Sequence, residues 1–238
     1  NPGDYKLDHE DGVPEEKEVK VYDMLAKEKT LLLMTDSTNI ENPGFSTPEK
    51  LVQKNLEDIV KNTKGRLIMA MFASHIGRVV SIIEAAERCN KRVVIEGRSM
   101  KNNVEICKEA GILNVKKETI IPSSDLDKYP PDRIIILATG GQGEEFSALA
   151  RMAAKNYKYI QISKNDTVLL SSSIIPGNER AVQKLKDSLA RHGVKIIHYR
   201  TSDVFIHSTG QCNRGEIEWL HLKLNPKLFD PDVEKAAT

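Results

Sequence analysis

The stretch Ile134-Ile135-Ile136-Leu137-Ala138-Thr139-Gly140-Gly141-Gln142-Gly143-Glu144, running on into Glu145-Phe146-Ser147-Ala148-Leu149-Ala150, decides the fold. An unbroken apolar run of this length describes a strand buried on both faces, the kind found in parallel sheets. Three glycines then close it in a tight loop before a helical segment, expected over Glu144–Ala154. Such a loop turns backbone N–H groups outward at a helix N-terminus, where an anion is favoured. Glycine suits those positions because side chains would block close approach of a ligand. A phosphate-bearing ligand is the first functional expectation. A glycine-rich strand-to-helix turn is also ordinary packing in α/β folds, so the loop alone leaves both readings open.

Working outward, the same alternation recurs. Strands are expected at Arg66–Phe72, Arg92–Glu96, Thr167–Ser171 and Lys195–Tyr199, with another near Tyr159–Ile162. Helices are expected at Ile76–Arg88, Asn102–Ala110 and Glu179–His192. Upstream, residues 8–18 read as a charged surface loop, Val21–Ala26 as a short helix and Thr30–Thr35 as a buried strand. Thr47-Pro48-Glu49 opens a helix reaching Asn62, with Thr47 as cap and Pro48 at the first helical position. Downstream, Ile206–Gly210 reads as a strand-to-loop element and Glu216–Leu224 as a helix. The pattern defines an α/β fold with a doubly wound parallel sheet, whose ligands bind beyond the carboxyl ends of the strands. The loops at those ends are Asp36-Ser37-Thr38-Asn39, Ala73-Ser74-His75, Gly97-Arg98-Ser99-Met100, Thr139–Glu144 and Ser171-Ser172-Ser173.

Composition narrows the classes. The 238 residues suffice for one large or two smaller domains, and 35 Lys+Arg against 34 Asp+Glu leave a net charge of +1. Any nucleic-acid contact must therefore come from a local patch rather than from global attraction. Cys89, Cys107 and Cys212 have no metal-binding spacing and read as reduced structural thiols in a cytoplasmic protein. No apolar run approaches the ~20 residues that span a bilayer, so no membrane partner is expected. Because the chain starts at Asn1 and Gly3-Asp4-Tyr5-Lys6 reads as the end of a strand, it is expected to be part of a longer protein.

Several motifs, in order along nearly the whole chain, resemble the RNase J family: Gly3-Asp4-Tyr5-Lys6-Leu7-Asp8, Thr35-Asp36-Ser37-Thr38-Asn39, Phe72-Ala73-Ser74-His75-Ile76-Gly77-Arg78, Gly97-Arg98-Ser99-Met100, Thr139–Glu144, Ile175-Pro176-Gly177-Asn178-Glu179 and His207-Ser208-Thr209-Gly210. Members are ribonucleases built from a metallo-β-lactamase αββα domain with an inserted β-CASP domain. The resemblance implies that residues 1–45 and 206–238 are metallo-β-lactamase segments and 46–205 a Rossmann-like β-CASP domain. It implies that Asp4 is a metal ligand and that Asp36 and His207 serve catalysis. Ser74, Arg78, Gly140, Gly141, Gln142, Gly143 and Glu144 would line an RNA channel, and His207, Thr209 and Gln211 would grip a nucleotide phosphate. Two divalent ions, zinc or alternatively manganese or magnesium, would assist hydrolysis of single-stranded RNA in the complete protein. The chain alone is expected to hold none and to be inactive. The implied assembly is a homo-oligomer, or a hetero-oligomer with a paralogue.

Departures from the family pattern keep a second reading open. The family's His-x-His-x-Asp-His motif occurs nowhere in these residues. Gln211 stands where the family turn has a second histidine, and glutamine cannot act as a general acid. Val233, in Pro231-Asp232-Val233-Glu234, stands where the family has a metal-binding histidine. A degenerate paralogue acting as an RNA-binding or accessory subunit is the alternative, and an unrelated nucleotide-binding module is a third. Asp4 and Asp36 also read as turn or cap residues, His75 as a cap, Ser171-Ser172-Ser173 as a polar turn, and Trp219 as core.

Overall fold

In chain order the elements are β1 (His9–Glu10), β2 (Val13–Pro14), α1 (Glu16–Ala26), β3 (Leu32–Met34), α2 (Glu49–Asn62), β4 (Leu67–Ala70), α3 (Ile76–Arg88), β5 (Arg92–Glu96), α4 (Arg98–Glu109), β6 (Ile134–Ala138), α5 (Ala148–Ala153), β7 (Thr167–Leu170), α6 (Glu179–Ala190), β8 (Lys195–His198), α7 (Arg214–Leu224) and β9 (Leu228–Asp230). Two 3₁₀ turns, Ser123–Lys128 and Pro131–Arg133, precede β6. The computed structural model describes residues 1–230, which fall into two units: Gln53–His207, and Asn1–Val52 with the chain from Ser208.

The larger unit is built on five parallel strands in the order β5-β6-β4-β7-β8. β6 sits between β5 and β4, Ile135 facing Val93 on one side and Leu67 on the other, and all five of its residues are buried. This is what the unbroken apolar run encodes: both edges are hydrogen-bonded and both faces are covered. Removing side chains such as Ile135 and Ile136 from water stabilises the fold by about 1.5–3 kcal/mol each.

Alternation along the strands separates two faces. Ile68, Ala70, Ile136, Ala138, Val168 and Leu170 join Leu149 and Met152 of α5 and Leu185 and Leu189 of α6 in one core. Leu67, Met69, Ile135, Leu137 and Leu169 point the other way, to the face that the first two crossovers, through α3 and α4, cover. β4 enters the sheet first yet lies at its centre, so α3 and α5 leave neighbouring strands β4 and β6 toward opposite faces. Such a reversal opens a crevice at the carboxyl ends of the strands.

The smaller unit packs α1 and α7 over short strands. Its core comprises Tyr5, Leu7, Leu33, Cys212, Ile217, Leu220 and Leu224, with Tyr22 and Trp219 packed edge to face at 5.5 Å. Trp219 is partly buried and packs against this core. β3 pairs in parallel with β9, and β1 pairs with β2 as a minimal antiparallel hairpin. α7 opens with a capping box, in which Glu216 accepts from the Asn213 N–H and Asn213 accepts from the helix backbone.

Several expected boundaries moved. The first helix begins at Glu16 rather than Val21, because Glu16 and Glu18 complement the helix dipole and Lys20 bonds Glu16 one turn away at 2.7 Å. The helix expected from Glu144 begins at Ala148, where Ser147 accepts from the Ala150 N–H as cap. Tyr159–Ile162 forms no strand: Ile160 and Ile162 are buried in the core, but the segment pairs with none of the five strands. Ile206–Gly210 and Gly3–Lys6 are likewise irregular, and the loop read at 8–18 contains the hairpin and the start of α1. Among the described residues no helix is long and apolar enough to cross a membrane.

Candidate functional site

The sheet register sets the site. Ala70, Ala138, Leu170 and His198 lie on one rung, so the chain leaves β4, β6, β7 and β8 at the same level. There the larger unit gathers Arg78, Ser171, Tyr199, His75 and His207. Arg78 lies in the first turn of α3 with only 3 % of its surface exposed. A guanidinium does not lose its proton, so burying it demands acceptors. It donates to the Ser171 carbonyl and hydroxyl, both at 3.4 Å, and to His207 Nδ1 at 3.3 Å. Arginine can only donate, so Nδ1 accepts in that contact and the neutral ring carries its proton on Nε2.

The His207 ring lies nearly parallel to that of His75, centroids 6.3 Å apart, and the Tyr199 ring meets it at 5.8 Å. Ser171 Oγ donates to the Ile206 carbonyl at 2.7 Å, which fastens the segment carrying His207 to the end of β7. Beneath it His198 is 2 % exposed, and burial, with Lys186 and Arg200 adding, lowers its pKa to about 4. Ser74 is exposed in the turn after β4. The arrangement offers a fixed cation, hydroxyls and imidazoles on one edge, the donor types that hold phosphate oxygens.

The glycine loop is differently made. Gln142 is 3 % exposed, and its side chain ties the loop to the segment after β7. It donates to the Ser173 carbonyl at 2.6 Å and Ser172 Oγ at 3.3 Å, and accepts from the Ile175 N–H at 2.9 Å. The Gln142 N–H bonds Glu144 Oε2 at 3.1 Å and the Gly143 N–H bonds the Gly140 carbonyl at 3.2 Å. Gly143 has φ of +75°, and a Cβ there would strike the backbone of α6 at Ala181. Gly140, at +118°, would strike Ser147, and Gly141 would strike Ser172 at 2.6 Å. Close packing by itself requires glycine at these three positions.

The remaining candidates lie in the smaller unit. Asp36 Oδ1 accepts from the Thr38 N–H at 3.1 Å and hydroxyl at 2.6 Å, an Asx-type turn, while Oδ2 is buried with no hydrogen-bond partner among the described residues. Gln211 Nε2 donates to Thr38 Oγ1 at 3.3 Å, and its N–H bonds Thr209 Oγ1 at 3.2 Å. Thr209 and Gln211 thus share a turn linked to Asp36 through Thr38. Asp4 is exposed. Val233 lies outside the described residues.

Sequence reading missed Glu216. Fully buried, it accepts the Ser46 N–H at 2.9 Å and also bonds the Ser46 hydroxyl. A glutamate three positions after Asn213 was the available signal. It also missed Lys6, which donates to the Thr47 carbonyl at 2.8 Å and to Ser208.

Divalent ions would need several converging donors. Among the described residues no three His, Cys, Asp or Glu side chains form such a group. Asp36 Oδ2, without a hydrogen-bond partner among the described residues, is one acceptor, and one carboxylate does not make a metal centre.

Fold and cluster together define a doubly wound α/β module with a basic, histidine-bearing edge. Residues 64–189 match the family described as "Ribonuclease J, beta-CASP domain". The chain belongs to the RNase J family. It is 35% identical over 229 residues to "Ribonuclease J" of Mycoplasma genitalium, covering 96% of this chain and 40% of that protein. It is 38% identical over 200 residues to "Ribonuclease J" of Mycolicibacterium smegmatis, covering 84% and 36%. With "Ribonuclease J" of Sinorhizobium meliloti it shares 31% over 235 residues, covering 99% and 41%. The chain spans between about a third and two fifths of the length of the curated relatives it matches.

Proposed function

We propose that this chain supplies the RNA-holding edge of a ribonuclease that hydrolyses phosphodiester bonds in single-stranded RNA. The observation that carries the reading is the buried Arg78 guanidinium, poised between Ser171 and His207 at the strand ends, in a chain of the RNase J family. A guanidinium fixed by packing needs little reordering to meet a phosphate, and its charge-assisted bonds exceed neutral ones. Arg78 would hold the backbone, with Ser74 and His207 contributing further donors. Asp36 would support the reacting end, and Thr209 and Gln211 would steady a terminal nucleotide. Residues 46–205 would form the β-CASP domain, with 1–45 and 206–238 belonging to a metallo-β-lactamase domain.

Divalent ions would supply Lewis acidity and an activated water in the whole protein. The described residues do not furnish a complete ligand set for them, so Asp4 and Asp36 would be at most partial contributors. The chain alone is therefore expected to leave RNA uncut. In the protein at full length, Arg78→Gln is expected to lower cleavage of single-stranded RNA about tenfold or more, the loss of a charge-assisted phosphate contact. Unchanged cleavage and unchanged RNA affinity in that variant would remove the basis of the reading.

One observation favours a second reading. Gln211 cannot transfer a proton, and its amide is engaged with Thr38. A non-cleaving, RNA-binding accessory subunit would have this character. Comparing the full-length protein with its Gln211→His variant separates the two: cleavage before substitution supports the enzyme, and cleavage gained only afterwards supports the accessory subunit.

A further inference from the structure

A polar cavity of about 410 Å³ opens at the carboxyl ends of β5 and β6 within the larger unit, and its lining includes Glu96, Arg98, Lys101, Phe146, Arg151 and Tyr157. None of these belongs to the cluster around Arg78. Its floor is the Glu96 carboxylate, whose side chain is 2 % exposed. Lys101 Nζ and the Tyr157 hydroxyl both bond Glu96 Oε2 at 2.7 Å. Oε1 takes no further hydrogen bond among the described residues and is left to accept one. Burial, reinforced by Glu96, pushes the Tyr157 phenol above its ordinary range, so it stays a donor.

With Lys101 matched to Glu96, the two arginines are surplus positive charge. Neither Arg98 nor Arg151 makes an ion pair among the described residues, and Arg151 lies over the Tyr157 ring at 5.0 Å, which holds its guanidinium in place. Phe146, in the connection between β6 and α5, is 87 % exposed. A phenyl ring left this bare beside a basic cavity has a face available for stacking.

We propose that this cavity binds a nucleoside phosphate: the base stacks on Phe146, a ribose hydroxyl donates to Glu96, and Arg98 and Arg151 hold the phosphate. Each part follows from general chemistry. Aromatic faces take any base, arginine forks match phosphate oxygens, and an acidic residue at the end of a parallel strand accepts from ribose. The ligand has two possible sources, a free mononucleotide or one nucleotide of an RNA strand. The inference requires no residue of the nuclease reading and stands apart from it.

The test titrates the full chain, followed by NMR or calorimetry, with adenosine 5′-monophosphate, its 2′-deoxy analogue, inorganic phosphate and a short 5′-phosphorylated oligoadenylate. The monophosphate is expected to bind, the deoxy analogue more weakly. Phe146→Ala and Arg151→Gln are each expected to weaken binding about tenfold, the scale of one lost stacking or phosphate contact. Both side chains are exposed, so neither substitution threatens the fold. An oligonucleotide that binds as tightly as the monophosphate, with the same sensitivity to Phe146→Ala, identifies RNA as the source; binding by the monophosphate alone identifies the free nucleotide. Absence of binding, inorganic phosphate binding equally well with no effect of Phe146→Ala, or loss of binding in His207→Ala would each overturn the proposal.

Discussion

The loop after β6 and the cluster at the ends of β4, β7 and β8 leave the sheet at one level but use their polar groups in different ways. In the loop, Gln142 is spent on Ser172, Ser173 and Ile175, and glycines bring the backbone against α6 and Ser147. In the cluster, a cation is buried beside a serine and a histidine, with further rings around it. The first arrangement stiffens the scaffold; the second buries a charge at the strand ends. Three glycines in sequence look like a ligand cradle, and here each also sits where a side chain would meet close packing. The residue that marks the candidate site is an arginine whose neighbours come from distant parts of the chain.

The sharpest way to break this contrast is Gly143→Val. A side chain at φ of +75°, driven into the α6 backbone at Ala181, should destabilise the chain by about 3 kcal/mol or more. The shift of the urea midpoint measures this, and a loss under about 1 kcal/mol would mean that the loop is not held by packing.

Next in size is the pH response of His198, beneath the cluster. Its folded pKa of about 4 lies below the ordinary 6.5, so the unfolded chain takes up a proton first as pH falls. The stability it contributes is whole above pH 6.5 and is lost progressively between 6.5 and 4. The full swing is at most about 3 kcal/mol. His198→Asn keeps an acceptor for the Arg200 N–H and cannot titrate, so its stability should fall less over that window. An identical pH profile in both proteins would show that His198 is not the group responsible.

The smallest expected effect comes from Gln142→Leu. It strands the Ile175 N–H and the Ser173 carbonyl and should cost about 1–3 kcal/mol. RNA affinity of the full-length protein should stay unchanged, whereas Arg78→Gln lowers it. If Gln142→Leu weakened RNA binding as much as stability, the loop would have to be counted part of the interface.

What the sequence made legible follows from the physics of each element. β5 and α3 lie where apolar patterning put them, over Arg92–Glu96 and Ile76–Arg88, because buried runs and one-sided helices carry their own period. α5 was misplaced because Glu144-Glu145 resembles a helix start, while the approach of Gly143 to α6 keeps that stretch in a turn. Ile160 and Ile162 alternate like a strand, but they are buried by packing on the core and not by pairing with the sheet. β9 is too short, at three exposed residues, to announce itself. Arg78 and His207 were each named only through family resemblance, and their meeting was not foreseen. Nothing local to either residue specifies it; the strand order does.

That order has a consequence for how the protein is made. Leu67–Ala70 leaves the ribosome first among the five strands, yet pairs with Ile135–Ala138 and Thr167–Leu170. Until those later segments are synthesised, the future centre of the sheet is an oily ribbon with two open edges. Non-local pairing of this kind folds slowly and favours self-association, so shielding of the nascent chain should matter most while residues between β4 and β7 are being translated.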